Sequence, residues 1–117
     1  MSSCLLTLQS IYAVFGTSNG HLQLFKLNFD EGSMEESTKI VFKASVLSMK
    51  LAHINGSIAI ICGLSSGDII ITSVTLDILP VLTVILAIKL AHDFGVNSLD
   101  VKELSDGSLC IVSGGDD

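Results

Sequence analysis

Three short stretches of this 117-residue chain share one plan, and their spacing restricts the fold more than any other feature of the sequence. "FGTSNGHLQLF" covers 15–25, "CGLSSGDIIIT" covers 62–72 and "SGGDD" covers 113–117. In each, a strand-like apolar run ends in a small residue and a glycine, and a polar turn follows. In the first two a second apolar run comes next. Gly16 and Gly63 stand 47 positions apart, and Gly63 and Gly114 stand 51 apart. Self-similarity at a near-constant period is the mark of stacked copies of one supersecondary unit. A competing match, "KLAH" at 50–53 and again at 89–92, has a spacing of 39. It would shift every strand out of register. In the glycine register its first copy ends a strand and its second precedes one, so the match is a coincidence.

A period near fifty is too long for ankyrin or leucine-rich units and suits a four-stranded propeller blade with a long loop. The turn residues then set the strands. A short leading strand is expected at Leu5–Leu8. Ile11–Gly16 and Leu22–Leu27 form a hairpin closed by Thr17-Ser18-Asn19-Gly20, where Asn-Gly supplies positive φ. The acidic stretch 28–37 reads as a surface loop and Thr38–Phe42 as the outer strand. The pattern restarts with Val46–Leu51 and Ile58–Gly63 around "HINGS", then Asp68–Val74 after "SSGD", then Val81–Ile88. A third sheet begins with Val96–Leu104, turns at "SDGS" (105–108) and continues with Leu109–Val112. No stretch reads as a convincing helix, which makes the fold class all-β.

Composition removes several function classes. Six lysines, no arginine and twelve acids give a net charge of −6. A chain that binds nucleic acid by itself needs a cationic stripe to displace counterions, and none is present. Cys4, Cys62 and Cys110 are odd in number and far apart, with no CxxC. They read as buried thiols of a reducing compartment, not as a disulfide framework or a zinc site. The run "IIITSVTLDILPVLTVILAI" (69–88) has membrane-like hydropathy. Asp77 and Pro80 interrupt it, however, and β-branched residues dominate both flanks. Two buried strands joined through "LDILP" explain it better than one span of ~20 apolar residues.

The segment "AHDFGVNSLDVKELSDGSLCIVSGGDD" (91–117) resembles a WD40 repeat. That family places a histidine before its first strand, an apolar "V..L.V" on it, "SG" closing the second strand and an aspartate in the next turn. His92, Ser113 and Asp117 stand at those positions. The resemblance implies a structural hydrogen-bond network in which the turn aspartate accepts from the histidine and the histidine reaches the serine hydroxyl, fixing one blade. The two earlier repeats depart from this pattern. Asn19 and Ser66 stand at the aspartate position, Phe15 and Cys62 at the serine position, and Phe25 and Thr72 where tryptophan is usual. Packing must hold those blades instead. The resemblance implies an incomplete WD40-type β-propeller of about two and a half blades: blade one at about 4–43, blade two at about 44–89 and a truncated third at about 92–117. A closed ring has at least four blades, so the expectation is a fragment of a longer chain that is poorly soluble alone.

The order "GTSNGHLQLF" (16–25) and "KLAHDFGVNSLDV…IVSGGDD" (89–117) further resembles the C-terminal propeller of the family of WD repeat-containing protein six. Members are non-catalytic cytoplasmic scaffolds that bind and regulate an FtsJ-class tRNA ribose 2′-O-methyltransferase acting on the anticodon wobble nucleotide. The resemblance therefore implies a protein partner, tRNA met only indirectly, no cofactor, no small-molecule substrate and no membrane. A WD40 adaptor in trafficking or ubiquitin ligation and a small membrane protein using 69–88 stay open as rivals. Asp30, Glu31, Glu35 and Glu36 are candidates for contact with a basic partner surface, though such a charge run is usually a solvated connection. Ser113, His92 and Asp117 could be written as a hydrolase triad. No nucleophile elbow or oxyanion-hole motif accompanies them, and the WD40 network explains the same three residues. His21 is expected at the start of a strand and His53 at a turn, both exposed.

Overall fold

The structure, a computed structural model, describes residues 2–6 (as backbone), 11–54, 57–76 and 79–115. The described residues form an all-β chain of three antiparallel sheets. The first sheet runs in sequence order through β1 (Ser2–Leu6), β2 (Ile11–Gly16), β3 (His21–Asn28) and β4 (Ser33–Val41). The second repeats that order with β5 (Val46–Ile54), β6 (Ser57–Leu64), β7 (Ile69–Thr75) and β8 (Val81–Ile88). The third pairs β9 (Val96–Glu103) with β10 (Leu109–Gly115).

The two inner strands of the middle sheet, β6 and β7, are buried on both faces, and their composition says why. Along a strand successive side chains point to opposite sides, and β6 is apolar at nearly every position. Ile60 and Cys62 enter a core with Val14, Leu22 and Leu24 of the first sheet. Ala59 and Ile61 enter a second core with Val96 and Leu99 of the third. β7 divides the same way, with Ile70 and Val74 on one side and Ile69 and Ile71 on the other. Full burial of one such aliphatic side chain is worth ~1.5–3 kcal/mol. An exposed ion pair contributes ~0–1 kcal/mol. Stacking of apolar faces therefore holds the sheets together, and the surface pairs His53–Glu103 and Lys89–Asp68 add little.

The apolar run 69–88 is resolved as β7 and β8, and no helix among the described residues is long and apolar enough to cross a membrane. Within that run, 77–78 of the expected turn lie outside the described residues, as do 55–56 of "HINGS" and 7–8 of the expected leading strand. The leading strand itself covers Ser2–Leu6.

The largest departure from the sequence reading is β4. It spans Ser33–Val41, so most of the expected 28–37 loop is strand. Asp30 and Glu31 sit in a tight turn that ends on Gly32 at φ 64°. Glu35 and Glu36 are strand residues in register with Lys26 and Phe25, and not loop residues. A bulge opposite Leu24/Phe25 leaves one residue of β4 unpaired and hides the alternation. Charged, polar composition is what an exposed edge strand carries to discourage pairing with another chain. Polarity in this segment thus signals an edge and not a loop.

Three hairpin turns repeat one geometry. Gly20 donates to the Thr17 carbonyl (3.1 Å), Gly67 to Leu64 (3.0 Å) and Gly107 to Leu104 (3.0 Å). The first residue of each turn donates to the residue after the glycine: Thr17 to His21, Leu64 to Asp68 and Leu104 to Ser108. Each glycine alone takes positive φ, at 84°, 90° and 86°. This is a type I turn with a glycine bulge. The expected Asn-Gly pair therefore contributes only its glycine: Asn19 keeps an ordinary φ.

Candidate functional site

The chemistry-bearing residues gather at the junctions between sheets, and those junctions are copies of one another. At the first junction Phe42 donates to the Gly20 carbonyl at 2.7 Å. At the second, His92 donates to the Gly67 carbonyl at 3.2 Å. Four residues after each donor a valine begins the next sheet: Val46 and Val96. Val46 packs so closely on Gly16 that a Cβ there would meet its Cγ1 at 2.5 Å. Val96 does the same to Gly63, with Cγ1 at 2.6 Å and Cβ at 2.7 Å. The third corner repeats a different part of the pattern. Gly114 faces Ser98 across β9–β10 as Gly63 faces Ser48 across β5–β6. A Cβ on either glycine would run into that serine hydroxyl. Gly63 thus shares its valine contact with Gly16 and its serine contact with Gly114. The two "KLAH" copies lie in unlike places: 50–53 lies on β5, and 89–92 forms the connector after β8.

His92 is half-buried in that connector, and its Nε2 lies 2.9 Å from Ser113 Oγ on β10. The ring rests over Gly115, where a Cβ would meet His92 Cγ at 2.9 Å and Nδ1 at 3.0 Å. Asp117, the third member of the expected network, lies outside the described residues. In the first sheet the positions at which the WD40 resemblance leads one to expect serine and tryptophan hold Phe15 and Phe25. These rings meet edge to face, with centroids 5.5 Å apart. Such a contact is worth ~0.5–1.5 kcal/mol beyond its area, so packing stands where a polar network would be. In the second sheet the two positions hold Cys62 and Thr72, both fully buried. Burial pushes the Cys62 thiol up to about 12, which keeps it neutral and inert at physiological pH. Thr72 Oγ1 is buried without a hydrogen-bond partner.

Several expectations about single residues change. Cys110 is exposed, because it lies on the outward side of β10, an edge strand. The side chain of Cys4 lies outside the described residues. His53 is exposed as expected. His21 is half-buried, since Val41 of β4 sits opposite it. Asp30, Glu31, Glu35 and Glu36 are all exposed, on the β3–β4 turn and on β4. Among the described residues no group of three His, Cys, Asp or Glu side chains converges to hold a metal.

The junction also contains a residue that sequence reasoning passed over. Asp68 follows the turn glycine Gly67. Its Oδ1 accepts the Leu90 amide at 2.8 Å, and its Oδ2 lies 3.5 Å from Lys89 Nζ. The Leu90 amide, above the other partners, holds the Asp68 carboxyl below the usual carboxylate range, with Ser66 and Lys89 assisting against partial burial. Leu90 has φ 50°, the one non-glycine residue at positive φ among those described. That conformation costs a branched residue roughly 1–2 kcal/mol. A cleft of about 330 Å³ opens beside this cluster, between the 42–44 connector and the 64–70 hairpin, with Lys43 and Lys89 at its rim. Neither a protein-family model nor a curated protein matches the chain.

Proposed function

We propose that the chain is a non-catalytic WD-repeat scaffold, with its three sheets as two blades and part of a third in a β-propeller. One observation carries this reading: the successive junctions reuse the same contacts. Gly16 against Val46 and Gly63 against Val96 are equivalent close approaches, and the His92–Ser113 contact fits the blade network of such repeats. The polar contacts described here tie strands and connectors together, which supports a structural role for these residues.

The partner is an FtsJ-class tRNA ribose 2′-O-methyltransferase that modifies the wobble nucleotide, and the scaffold acts in the cytoplasm as its regulatory subunit. The sequence resemblance supports this assignment. The net charge of −6 supports contact with tRNA through the enzyme and not directly. The acidic edge formed by Asp30, Glu31, Glu35 and Glu36 offers the complementary field for a basic partner surface. The test is co-purification of the tagged protein from its own cells. A 2′-O-methyltransferase is expected in the eluate, and wobble ribose methylation is expected to fall when the gene is removed. Stable capture of a different partner, with tRNA methylation unchanged, would assign the chain to another WD40 adaptor pathway.

A further inference from the structure

The two junctions differ in one respect. At the first, the residue bonded to the turn glycine follows its strand directly: β4 ends at Val41 and Phe42 donates to Gly20. At the second, Lys89, Leu90 and Ala91 intervene between the end of β8 at Ile88 and the equivalent donor His92. The second connector is therefore three residues longer, yet it meets the same landing point. The excess must fold back within one turn, and Leu90 at φ 50° is where it does so. Asp68 holds the incoming side of that bend. Its carboxylate accepts the Leu90 amide at 2.8 Å and sits 3.5 Å from the Lys89 ammonium. At the first junction the equivalent place after the turn glycine is taken by His21.

We propose that Asp68 is a latch that folds the long β8–β9 connector and thereby delivers the His92 ring to Ser113, so that a contact made by the third sheet is set from the second. The bend at Leu90 is unfavourable alone, and the charge-assisted bond from its amide is what makes it persist. His92 lies two residues further on. Its amide lands on Gly67, next to Asp68, and leaves the ring over Gly115 within reach of Ser113 Oγ. Asp68 therefore acts on the His92–Ser113 pair as a positioning residue.

The test uses the full chain and two readings: amide exchange at Leu90 and His92, and the nuclear Overhauser contact between the His92 ring and the Ser113 β-protons. Asp68→Ala is expected to speed exchange at both amides by about tenfold or more, the factor that loss of a bond to a charged acceptor carries. The His92–Ser113 contact weakens with it. Leu90→Gly removes the penalty of positive φ, so the double variant Asp68→Ala/Leu90→Gly regains the contact. Restoration separates a latch from a residue that merely stabilises its own strand. An unchanged ring contact in Asp68→Ala, or no restoration in the double variant, overturns the proposal. If Asp68→Ala does not fold, the readings are taken on Asp68→Asn, which keeps an acceptor oxygen but drops the charge. A smaller shift in the same direction is expected, and the absence of any shift overturns the proposal equally.

Discussion

Replacing Gly63 with alanine probes the closest approach between the second and third sheets. The added methyl would lie 2.6 and 2.7 Å from Val96 Cγ1 and Cβ, and closer still to Ser48 Oγ. Real carbon contacts essentially never fall below 3.0 Å, so something must shift. Val96 is fully buried and cannot swing into solvent. Overpacking of this kind costs ~1–3 kcal/mol. Displacing Ser48 also breaks its 2.8 Å bond to the Val96 carbonyl in a buried setting. An orphaned buried polar group costs a further ~1–3 kcal/mol. The expected loss is ~2–6 kcal/mol, a large share of the ~5–15 kcal/mol that holds a domain folded. In Gly16→Ala the nearest atoms met are those of Val46, and the overpacking cost of ~1–3 kcal/mol is expected. Urea unfolding followed by circular dichroism measures both. Val96→Ala in the Gly63→Ala background removes Cγ1 but not Cβ, so it should recover part of the loss. A neutral Gly63→Ala, or strict additivity in the double variant, would refute the stacked-sheet geometry at this corner.

Other outcomes follow from single features. Thr72→Val replaces a buried hydroxyl lacking a partner with a methyl of similar shape, and should raise unfolding stability by ~1 kcal/mol; a loss in denaturant melts would mean that Oγ1 is satisfied in solution. Leu86 and Ile88 are 50% and 38% exposed on β8, on the face shared with buried Ile71 and Ile69, and β8 carries no charge to discourage pairing. Leu86→Lys should reduce self-association in light scattering while changing stability by no more than ~0.5 kcal/mol; unchanged association would exonerate this face. Asp68 has a folded pKa below its unfolded value, so the stability it contributes is present above the unfolded value and is lost as pH falls through the folded one. Asp68→Asn should flatten the acid limb of the stability–pH curve, and an acid limb identical to the parent's would count against the Leu90 and Lys89 contacts.

Much of this architecture is legible in the residues, for physical reasons that differ by element. β8 falls at Val81–Ile88 as the sequence indicates, because Pro80 and the Lys89–Leu90 break bound a β-branched run. β6 and β7 are readable because a sheet covered on both sides needs apolar residues at consecutive positions, and 58–64 and 69–74 supply them. β4 is misread because edge strands imitate loops in composition. The junctions are only half legible. The glycine spacing marks the corners, but "VLS" at 46–48 and "VNS" at 96–98 carry the same message from the opposite strand and are easily overlooked among so many valines. Asp68 has no local signature. Its partners Leu90 and Lys89 are about twenty positions away, and the strain at Leu90 depends on a connector whose excess length shows only against the first junction.

The internal repeat also explains how divergent copies keep one shape. Backbone contacts at the turn glycines and the Gly–Val approaches persist in both junctions, while the side chains on the second and third strands change freely. Phe15 with Phe25 and Cys62 with Thr72 are two fillings of one pair of positions, and Ser113, which contacts His92, stands where Phe15 and Cys62 do. Apolar burial supplies most of the stability, so the first two sheets tolerate other side chains where the third has the His92–Ser113 contact.

Amide hydrogen exchange along the whole chain bears most directly on the sandwiched middle sheet. Residues 58–64 of β6 and 69–74 of β7, covered on both faces, should exchange slowest, and β8 and β10, with one edge open, should exchange markedly faster. Protection of 81–88 equal to that of 58–64, or rapid exchange at Ile60 and Ile61, would contradict the stacking of three sheets on which the scaffold reading stands.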